Sequence, residues 1–210
     1  MFLKIIKYIL YLFIIFDIIL LIAIAVEPPY YYGEATVKIY GTGTGTYTPA
    51  NRKMVISCYI VISEGIGEPF DIIIKNIEIW IIDKPIHGTA TPNKKVSSTT
   101  TKEYICDVVM QIPQDVEIGV MSGSIAEGNT ELDIYHMDKY IQTEEIGLYG
   151  GGQIQEDAEG NGEYSISVSN QFDVYFRYED TEAQVAAISF FMIILIILIL
   201  ALMYIRKKET

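Results

Sequence analysis

The sequence contains few of the side chains that most often carry catalysis or bind metals. Its 210 residues include two cysteines, two histidines and one tryptophan. Two cysteines exclude a miniprotein held together by several disulfides. The cysteines and histidines lack the spacings of zinc or copper sites, and no nucleophile elbow or phosphate-binding loop occurs. We therefore predict a non-enzymatic protein without catalytic residues or cofactors.

Basic residues are also scarce. The chain has 15 Lys and Arg against 27 Asp and Glu, which gives a formal net charge of −12 at pH 7. Nucleic-acid binding needs a basic surface to contact phosphates, so a nucleic-acid partner is not expected. Half of the residues are apolar. This composition excludes a disordered chain, because disordered chains lack apolar surface to bury.

The apolar residues are concentrated at the two ends of the chain. Residues 8–26 form an apolar run that is interrupted by Asp17, and residues 185–205 form a second run with two polar residues, Ser189 and Tyr204. A helix rises about 1.5 Å per residue, so about 20 apolar residues cross a hydrocarbon core of roughly 30 Å. We predict transmembrane helices within residues 1–26 and 184–205.

The charges beside these runs predict their orientation. Lys4 and Lys7 precede the first run, and Arg206, Lys207 and Lys208 follow the second. Because Lys and Arg are enriched on the cytoplasmic side, both termini are expected inside, including a basic tail of residues 206–210. Residues 27–183 then form a domain outside a cell, host or viral membrane, and the lipid bilayer is the first expected partner.

A cleaved signal peptide is the alternative for the first run. Lys4 and Lys7 could form its basic segment, and Ala23-Ile24-Ala25 is a small-x-small triplet of the kind that signal peptidase recognises. The apolar run is longer than that of a usual signal peptide, which favours a retained helix. Cleavage would leave a single-pass protein, and both alternatives place the middle of the chain outside.

Asp17 lies near the middle of the first apolar run. An acid at the bilayer centre costs about 2.5–3.5 kcal/mol on insertion scales. The second run has no cation at the matching depth. We predict an intramembrane contact with another membrane protein or a second copy of the chain. The alternative is an acid that a very apolar helix tolerates, or one that is removed with a signal peptide.

The middle of the chain has the composition of an all-β domain. Residues 27–183 hold 22 Ile but only two Leu, and 10 Lys and Arg against 25 Asp and Glu, so this part carries about −15. β-branched residues favour strands. Apolar residues alternate over residues 54–62, 72–82, 104–112, 132–134, 164–168 and 172–178. We predict an all-β sandwich flanked by the two transmembrane helices.

The alternation also predicts which side chains share a face. On the second predicted strand, Ile73, Ile77, Ile79 and Ile81 face one way, and Ile72, Ile74, Trp80 and Ile82 face the other. On the third, one face carries Tyr104, Cys106, Val108, Met110 and Ile112. Turn signals are expected to separate the strands at residues 41–45, 65–67, 85–92 and 150–152, and a two-residue hairpin turn at Asn161-Gly162.

The order of strands and turns over residues 54–135 resembles a known family. A long strand, a short link with Pro69, a second strand to Ile82, the Gly88 link, a Ser/Thr-rich approach over residues 97–102 and a third long strand follow one another. This arrangement resembles the LEA14-like β-sandwich of the water-stress and hypersensitive-response type. Glu68-Pro69 stands where that family has Asn-Pro. The resemblance implies a sandwich with a stress-protective or interaction role and no catalytic residues.

Cys58 and Cys106 are predicted on the inward faces of two different strands. A location outside the cytoplasm permits a disulfide between them, either across neighbouring strands or across two sheets. Two buried free thiols are the alternative, because free cysteine often behaves as a small apolar residue.

The acidic segment containing Asp157, Glu159 and Asn161 partly matches a calcium-binding loop. The residue at the twelfth position is Val168 instead of a bidentate Glu, so the closing ligand is missing. An acidic hairpin tip is the simpler interpretation, and weak calcium binding is the alternative.

Together these features predict a membrane-anchored surface or envelope protein that displays an acidic β-sandwich for structural or interaction purposes. The Ile- and Tyr-rich, Leu-poor composition is typical of proteins from thermophilic archaea and their viruses. An accessory subunit of a larger membrane complex is the main alternative, and a cleaved-signal single-pass protein and a surface enzyme are further ones.

Overall fold

The structure is a computed structural model that describes residues 2–26, 30–63 and 65–207. Lys208 lies outside the described residues, as do the side chains of Lys4 and Lys7. The chain divides into two compact units. Residues 32–176 form the β unit, and the described residues up to Tyr31 and from Arg177 onward form the helical unit.

The prediction of an all-β domain is confirmed, and its strands pair in the antiparallel sense. The finer prediction of a sandwich stays a prediction. Its ten strands are β1 (Tyr30–Tyr47), β2 (Lys53–Ile62), β3 (Ile66–Gly67), β4 (Asp71–Ile81), β5 (His87–Ala90), β6 (Lys94–Ser97), β7 (Glu103–Gln111), β8 (Val120–His136), β9 (Lys139–Glu156) and β10 (Gly162–Glu179). They form one continuous sheet in the order β5-β4-β8-β9-β10-β1-β2-β7, with β3 on β1 and β6 on β4. The sheet curls until its ends meet, because β5 contacts β7.

The core consists mainly of isoleucine side chains from both halves of this sheet. On β2 the predicted inward face is confirmed, because all of its members are almost completely buried: Met54, Ile56, Cys58, Ile60 and Ile62. Isoleucines of β4, Leu132 and Ile134 of β8 and Val174 and Phe176 of β10 are also buried. Burial of each such side chain stabilises the fold by about 1.5–3 kcal/mol.

Two β-bulges change the faces that simple alternation predicts. Lys75 has no partner on β8, so the buried side of β4 changes from Ile72 and Ile74 to Ile77, Ile79 and Ile81. Ile105 is the extra residue on β7 opposite β2, so Ile105 is buried and Tyr104 points outward. The predicted faces are therefore confirmed for Val108 and Met110 of β7, for Ile112 directly after it, and for Ile77, Ile79 and Ile81 of β4. They were wrong on the other side of each bulge, because one extra residue reverses the side chains beyond it.

The glycines at 150–152 form part of β9 instead of the predicted turn. A Cβ on Gly150 would collide with the carbonyl oxygen of Ser167, and one on Gly152 with that of Ser165, both on β10. Glycine is therefore needed where these two backbones approach closely. Residues 41–45 are likewise within a strand, β1, although they too were predicted as a turn.

The hairpin turns also differ from the prediction. β9 and β10 are joined by the five-residue loop 157–161, and Gly162 is already paired with Glu156. The two-residue turn lies instead between β8 and β9, at Met137 and Asp138, which have φ angles of 49° and 61°. Asp is a common residue at positive φ but Met is not, and no Gly or Asn marks this turn in the sequence.

Each end of the chain is helical. α1 spans Phe2–Val26 and α2 spans Thr181–Lys207. The Asp180 carboxylate caps α2 by accepting a hydrogen bond of 3.0 Å from the backbone N–H of Ala183. Among the described residues, α2 is the one helix long and apolar enough to cross a membrane, whereas the apolar part of α1 covers Tyr8–Ala23 and is shorter. The structure thus supports one of the two predicted spans directly.

We predict that Gly150→Ala destabilises the β unit, because the added methyl group forces β9 and β10 apart. Overpacking of this kind costs about 1–3 kcal/mol. Gly147→Ala is the matched control on the same strand, because its Cβ would meet only the exposed Tyr149 side chain. Urea unfolding monitored by Trp80 fluorescence measures both variants. Equal stability of the two would contradict the close approach at Gly150.

Candidate functional site

The two helices of the helical unit pack side by side. The Gln184 side chain donates a hydrogen bond of 3.4 Å to the backbone carbonyl of Ala25, so the end of α1 lies beside the start of α2 and the helices are antiparallel. Less exposed side chains recur every three or four residues on each helix and define the seam between the helices. They include Ile6, Leu10, Ile14, Asp17 and Leu21 on α1, and Gln184, Ile188, Phe191, Leu195, Leu198, Leu202 and Ile205 on α2.

Asp17 lies within this seam and is only 5% exposed. Its Oδ2 atom has no hydrogen-bond partner among the described residues. Asp17 is eight residues before Ala25, or about 12 Å along the helix, whereas Arg206 of α2 is about 33 Å from Gln184. No cation of α2 is therefore at the depth of Asp17. The predicted assembly contact stays a prediction, and any partner would have to reach Asp17 through the seam.

Cys58 and Cys106 are directly opposite each other on the neighbouring strands β2 and β7, and both are free thiols in the structure. A hydrogen bond between the two thiols, together with burial, raises the pKa of Cys58. The same hydrogen bond lowers the pKa of the partly exposed Cys106. Cys106 is thus the thiol that ionises first. A disulfide remains a prediction, and the geometry restricts it to a link between neighbouring strands.

Asp157 and Asn161 are brought together, but by hydrogen bonds within their loop. Asp157 Oδ1 accepts hydrogen bonds from the backbone N–H groups of Glu159 at 2.9 Å and Asn161 at 2.8 Å. The hydrogen bonds from Asn161 are the main reason that the pKa of Asp157 is lowered. Asp157 therefore serves as the cap of an exposed loop. In the described part of the chain no three His, Cys, Asp or Glu residues are grouped as metal ligands.

The two histidines lie apart from each other and from the cysteines. His136 is 1% exposed and its ring stacks on Phe176 at a centroid distance of 5.0 Å. His87 is exposed at the start of β5. Two depressions of the β unit hold about 510 and 540 Å³, and neither is lined by a histidine or cysteine.

A buried ion pair is the main polar feature that sequence reasoning missed. Arg52 Nη1 lies 2.9 Å from Glu156 Oε1, and both side chains are less than 10% exposed. Arg52 also donates to the carbonyl of Val116, while Glu156 Oε2 accepts from the Tyr47 hydroxyl and the backbone N–H of Ile118, both at 3.2 Å. Burial and the nearby Glu156 carboxylate raise the pKa of Tyr47.

This ion pair joins one end of β1 and β2 to the end of β9 and to the segment between β7 and β8. Because most hydrogen-bonding groups of both partners are satisfied, the pair is compatible with burial. No motif marks it, since Arg52 and Glu156 are 104 positions apart. In this structure the pair links the loop before β2, the end of β9 and the segment that contains Val116.

A second cationic contact lies in the helical unit. The guanidinium carbon of Arg177 is 4.8 Å from the centroid of the Tyr30 ring. Beside it, the rings of Tyr31 and Tyr178 are 5.4 Å apart. An open cavity of about 340 Å³ is lined by Tyr30, Arg177, Tyr178 and Glu179. Sequence reasoning did not single out Arg177, because one Arg among acids forms no recognisable motif.

No protein-family model matches the chain, and no match was found among curated proteins. The resemblance of residues 54–135 to the LEA14-like family therefore stays a prediction. These residues form β2 to β7 and most of β8.

We predict that oxidation links Cys58 to Cys106 and stabilises the protein. The enclosed loop of about 48 residues gives roughly 3–4 kcal/mol in the chain-entropy description. Urea unfolding with and without a thiol reductant measures the difference. The matched control is Cys58→Ala/Cys106→Ala, which should not respond to reductant. Two titratable thiols in the denatured, non-reduced protein would exclude the disulfide.

Proposed function

We propose that the chain is a non-enzymatic, membrane-anchored surface or envelope protein that displays an acidic β unit outside the cytoplasm. The observation that supports this most is α2, a helix of 27 residues with no buried residue among them. Its exposed side chains include Phe190 and Leu200, which are 60% and 59% exposed. Such a surface is unfavourable in water and compatible with a hydrocarbon core.

We propose further that α1 lies in the same bilayer and that both termini are cytoplasmic. The antiparallel packing of α1 and α2 supports this arrangement, because it brings the basic ends of both helices to one side. Exposed apolar residues of α1, such as Leu12 and Phe16, are compatible with contact to lipid.

A retained α1 also fits better than a cleaved signal peptide. The helix continues through Ala23 and Ala25, and the Ala25 carbonyl accepts the hydrogen bond from Gln184 of α2. Cleavage after Ala25 would remove a helix that covers one side of α2.

The acidic composition of the β unit supports a role in interaction rather than in lipid or nucleic-acid contact. Residues 27–183, which include the β unit, hold 25 acids and 10 basic residues, and this excess of negative charge keeps the displayed surface soluble and repels other polyanions. The LEA14-like resemblance of residues 54–135 agrees with a structural or protective role. The proposed partners are the bilayer and either another membrane protein or a second copy of the chain.

We predict that the 157–161 loop is accessible from outside in sealed right-side-out vesicles and that the C-terminus is not. In a Cys58→Ala/Cys106→Ala background, Glu159→Cys should react with a membrane-impermeant maleimide in intact vesicles. Thr210→Cys is the matched control and should react only after the membrane is permeabilised. Protection of Glu159→Cys in intact vesicles would contradict the proposed topology.

An accessory subunit of a larger membrane complex is the second candidate. The buried carboxylate of Asp17, with one oxygen unpartnered among the described residues, favours it. A cationic or hydrogen-bonding side chain of another membrane protein at the seam would offset the cost of this acid in the bilayer.

For this candidate we predict that Asp17→Leu favours membrane insertion but abolishes capture of the partner. Removing the acid lowers the insertion cost by about 2.5–3.5 kcal/mol. Affinity capture from native membranes, followed by quantification of stoichiometric proteins, measures the second effect. Phe16→Leu, at the exposed neighbouring position, should leave capture unchanged. A partner that binds Asp17→Leu as well as the original chain would exclude Asp17 as its contact.

A further inference from the structure

Arg177 and Tyr30 form a cationic and aromatic site next to the helix ends of the helical unit. Tyr30 comes four residues after the end of α1 at Val26, and Arg177 comes four residues before the start of α2 at Thr181. The guanidinium carbon lies 4.8 Å from the Tyr30 ring centroid, at the cavity that Tyr178 and Glu179 also line. We propose that this Arg177 site binds the phosphate of a phospholipid headgroup.

Arg177 differs from four cations of the β unit in its charge partners. Arg52, Lys75, Lys94 and Lys95 each lie within 4.0 Å of a carboxylate. Within the described ranges, Arg177 pairs with no carboxylate, although Glu179 lines the same cavity. Its described contact is the Tyr30 ring. The positive charge of Arg177 is therefore not neutralised by a described group.

The chemistry of this arrangement fits a phosphate. Arginine has five N–H donors in a planar fork, which matches two oxygens of a phosphate group. A cation–π contact with Tyr30 holds the guanidinium in place without consuming these donors in hydrogen bonds to a carboxylate. The open cavity beside Arg177 leaves room for a headgroup.

The position of the site favours lipid over dissolved phosphate. This step rests on the proposed function, in which α2 spans the bilayer and its first residues lie near the headgroups. The Tyr31–Tyr178 ring pair beside the site agrees with that level, because tyrosine is enriched at membrane interfaces. Glu179, Asp180 and Glu182 follow Arg177 and disfavour dissolved anions. A bilayer instead holds phosphate groups at this level in high local concentration.

The test is lipid binding by the full chain in a phosphate-free, uncharged detergent. Dioctanoyl phosphatidylglycerol is titrated, and bound lipid is measured by native mass spectrometry. Loss of a charge-assisted hydrogen-bonding partner should weaken binding by about tenfold in Arg177→Gln. Arg177→Lys keeps the charge but loses the fork, so it should bind with intermediate affinity. It also serves as the second variant should Arg177→Gln disturb folding.

Lys102→Gln is the matched control. Lys102 also lies over a tyrosine ring, with its Nζ atom 5.0 Å from the Tyr59 centroid, but it belongs to the β unit. This variant should bind the lipid as the original chain does. Equal binding by Arg177→Gln and the original chain would overturn the proposal, as would an equal loss in Lys102→Gln, which indicates non-specific attraction.

Two further ligands identify the source of the phosphate. An uncharged dioctanoyl glycolipid without phosphate should bind the original chain and Arg177→Gln equally weakly. Excess inorganic phosphate should not displace the phosphatidylglycerol, and displacement would overturn the assignment to lipid.

Flotation of the same proteins with vesicles distinguishes a failure of the Arg177 site from a failure of the proposed membrane anchoring. If all variants float but their affinity for the lipid does not depend on Arg177, the proposed anchoring is supported and the Arg177 site is contradicted. If the original chain does not float, the proposed anchoring is contradicted.

Discussion

The uncovered apolar surface of α2 is the constraint on which the rest of the structure depends. A helix of 27 residues with no buried residue leaves more apolar surface than a soluble protein exposes. Antiparallel packing against α1 covers only the seam side, and the outward sides of both helices remain apolar. A hydrocarbon environment would remove the free-energy cost of exposing this surface to water. It is also compatible with the position of the charged residues of the helical unit near the helix ends, with Asp17 as the exception.

The β unit is stabilised by contacts among its own strands and loops. Its isoleucines are buried between the two halves of one sheet whose end strands, β5 and β7, meet. Glycines on β9 allow the close approach to β10, and the Arg52–Glu156 pair fixes the loops at one end. A unit with these internal contacts does not need the bilayer for its core.

The β class and the helices could be predicted from the sequence because they depend on local periodicity. The inward face of β2 follows from strict alternation, and α2 follows from an unbroken apolar run. The change of face within β4 and within β7 could not be predicted, because the single extra residues Lys75 and Ile105 are set by pairing with distant strands. Gly150 was predicted to lie in a turn for the same reason, because its close approach to the backbone of β10 depends on strand pairing and not on the local sequence.

The candidate sites also divide into features that the local sequence indicates and contacts that arise only in the folded chain. Asp17 stands out in the sequence because an acid interrupts an apolar run, and the structure adds that it lies in the seam. The opposition of Cys58 and Cys106 required the register of β2 and β7. The contacts of Arg52 with Glu156 and of Arg177 with Tyr30 join positions more than 100 residues apart, so only the folded chain brings them together.

Flotation of the full chain after an alkaline carbonate wash tests membrane anchoring most directly. The wash removes proteins held on membranes by charge but leaves those held by apolar helices. The protein is expected to rise with the lipid fraction of a density gradient. Recovery of the folded chain in the lipid-free fraction would contradict anchoring through α2.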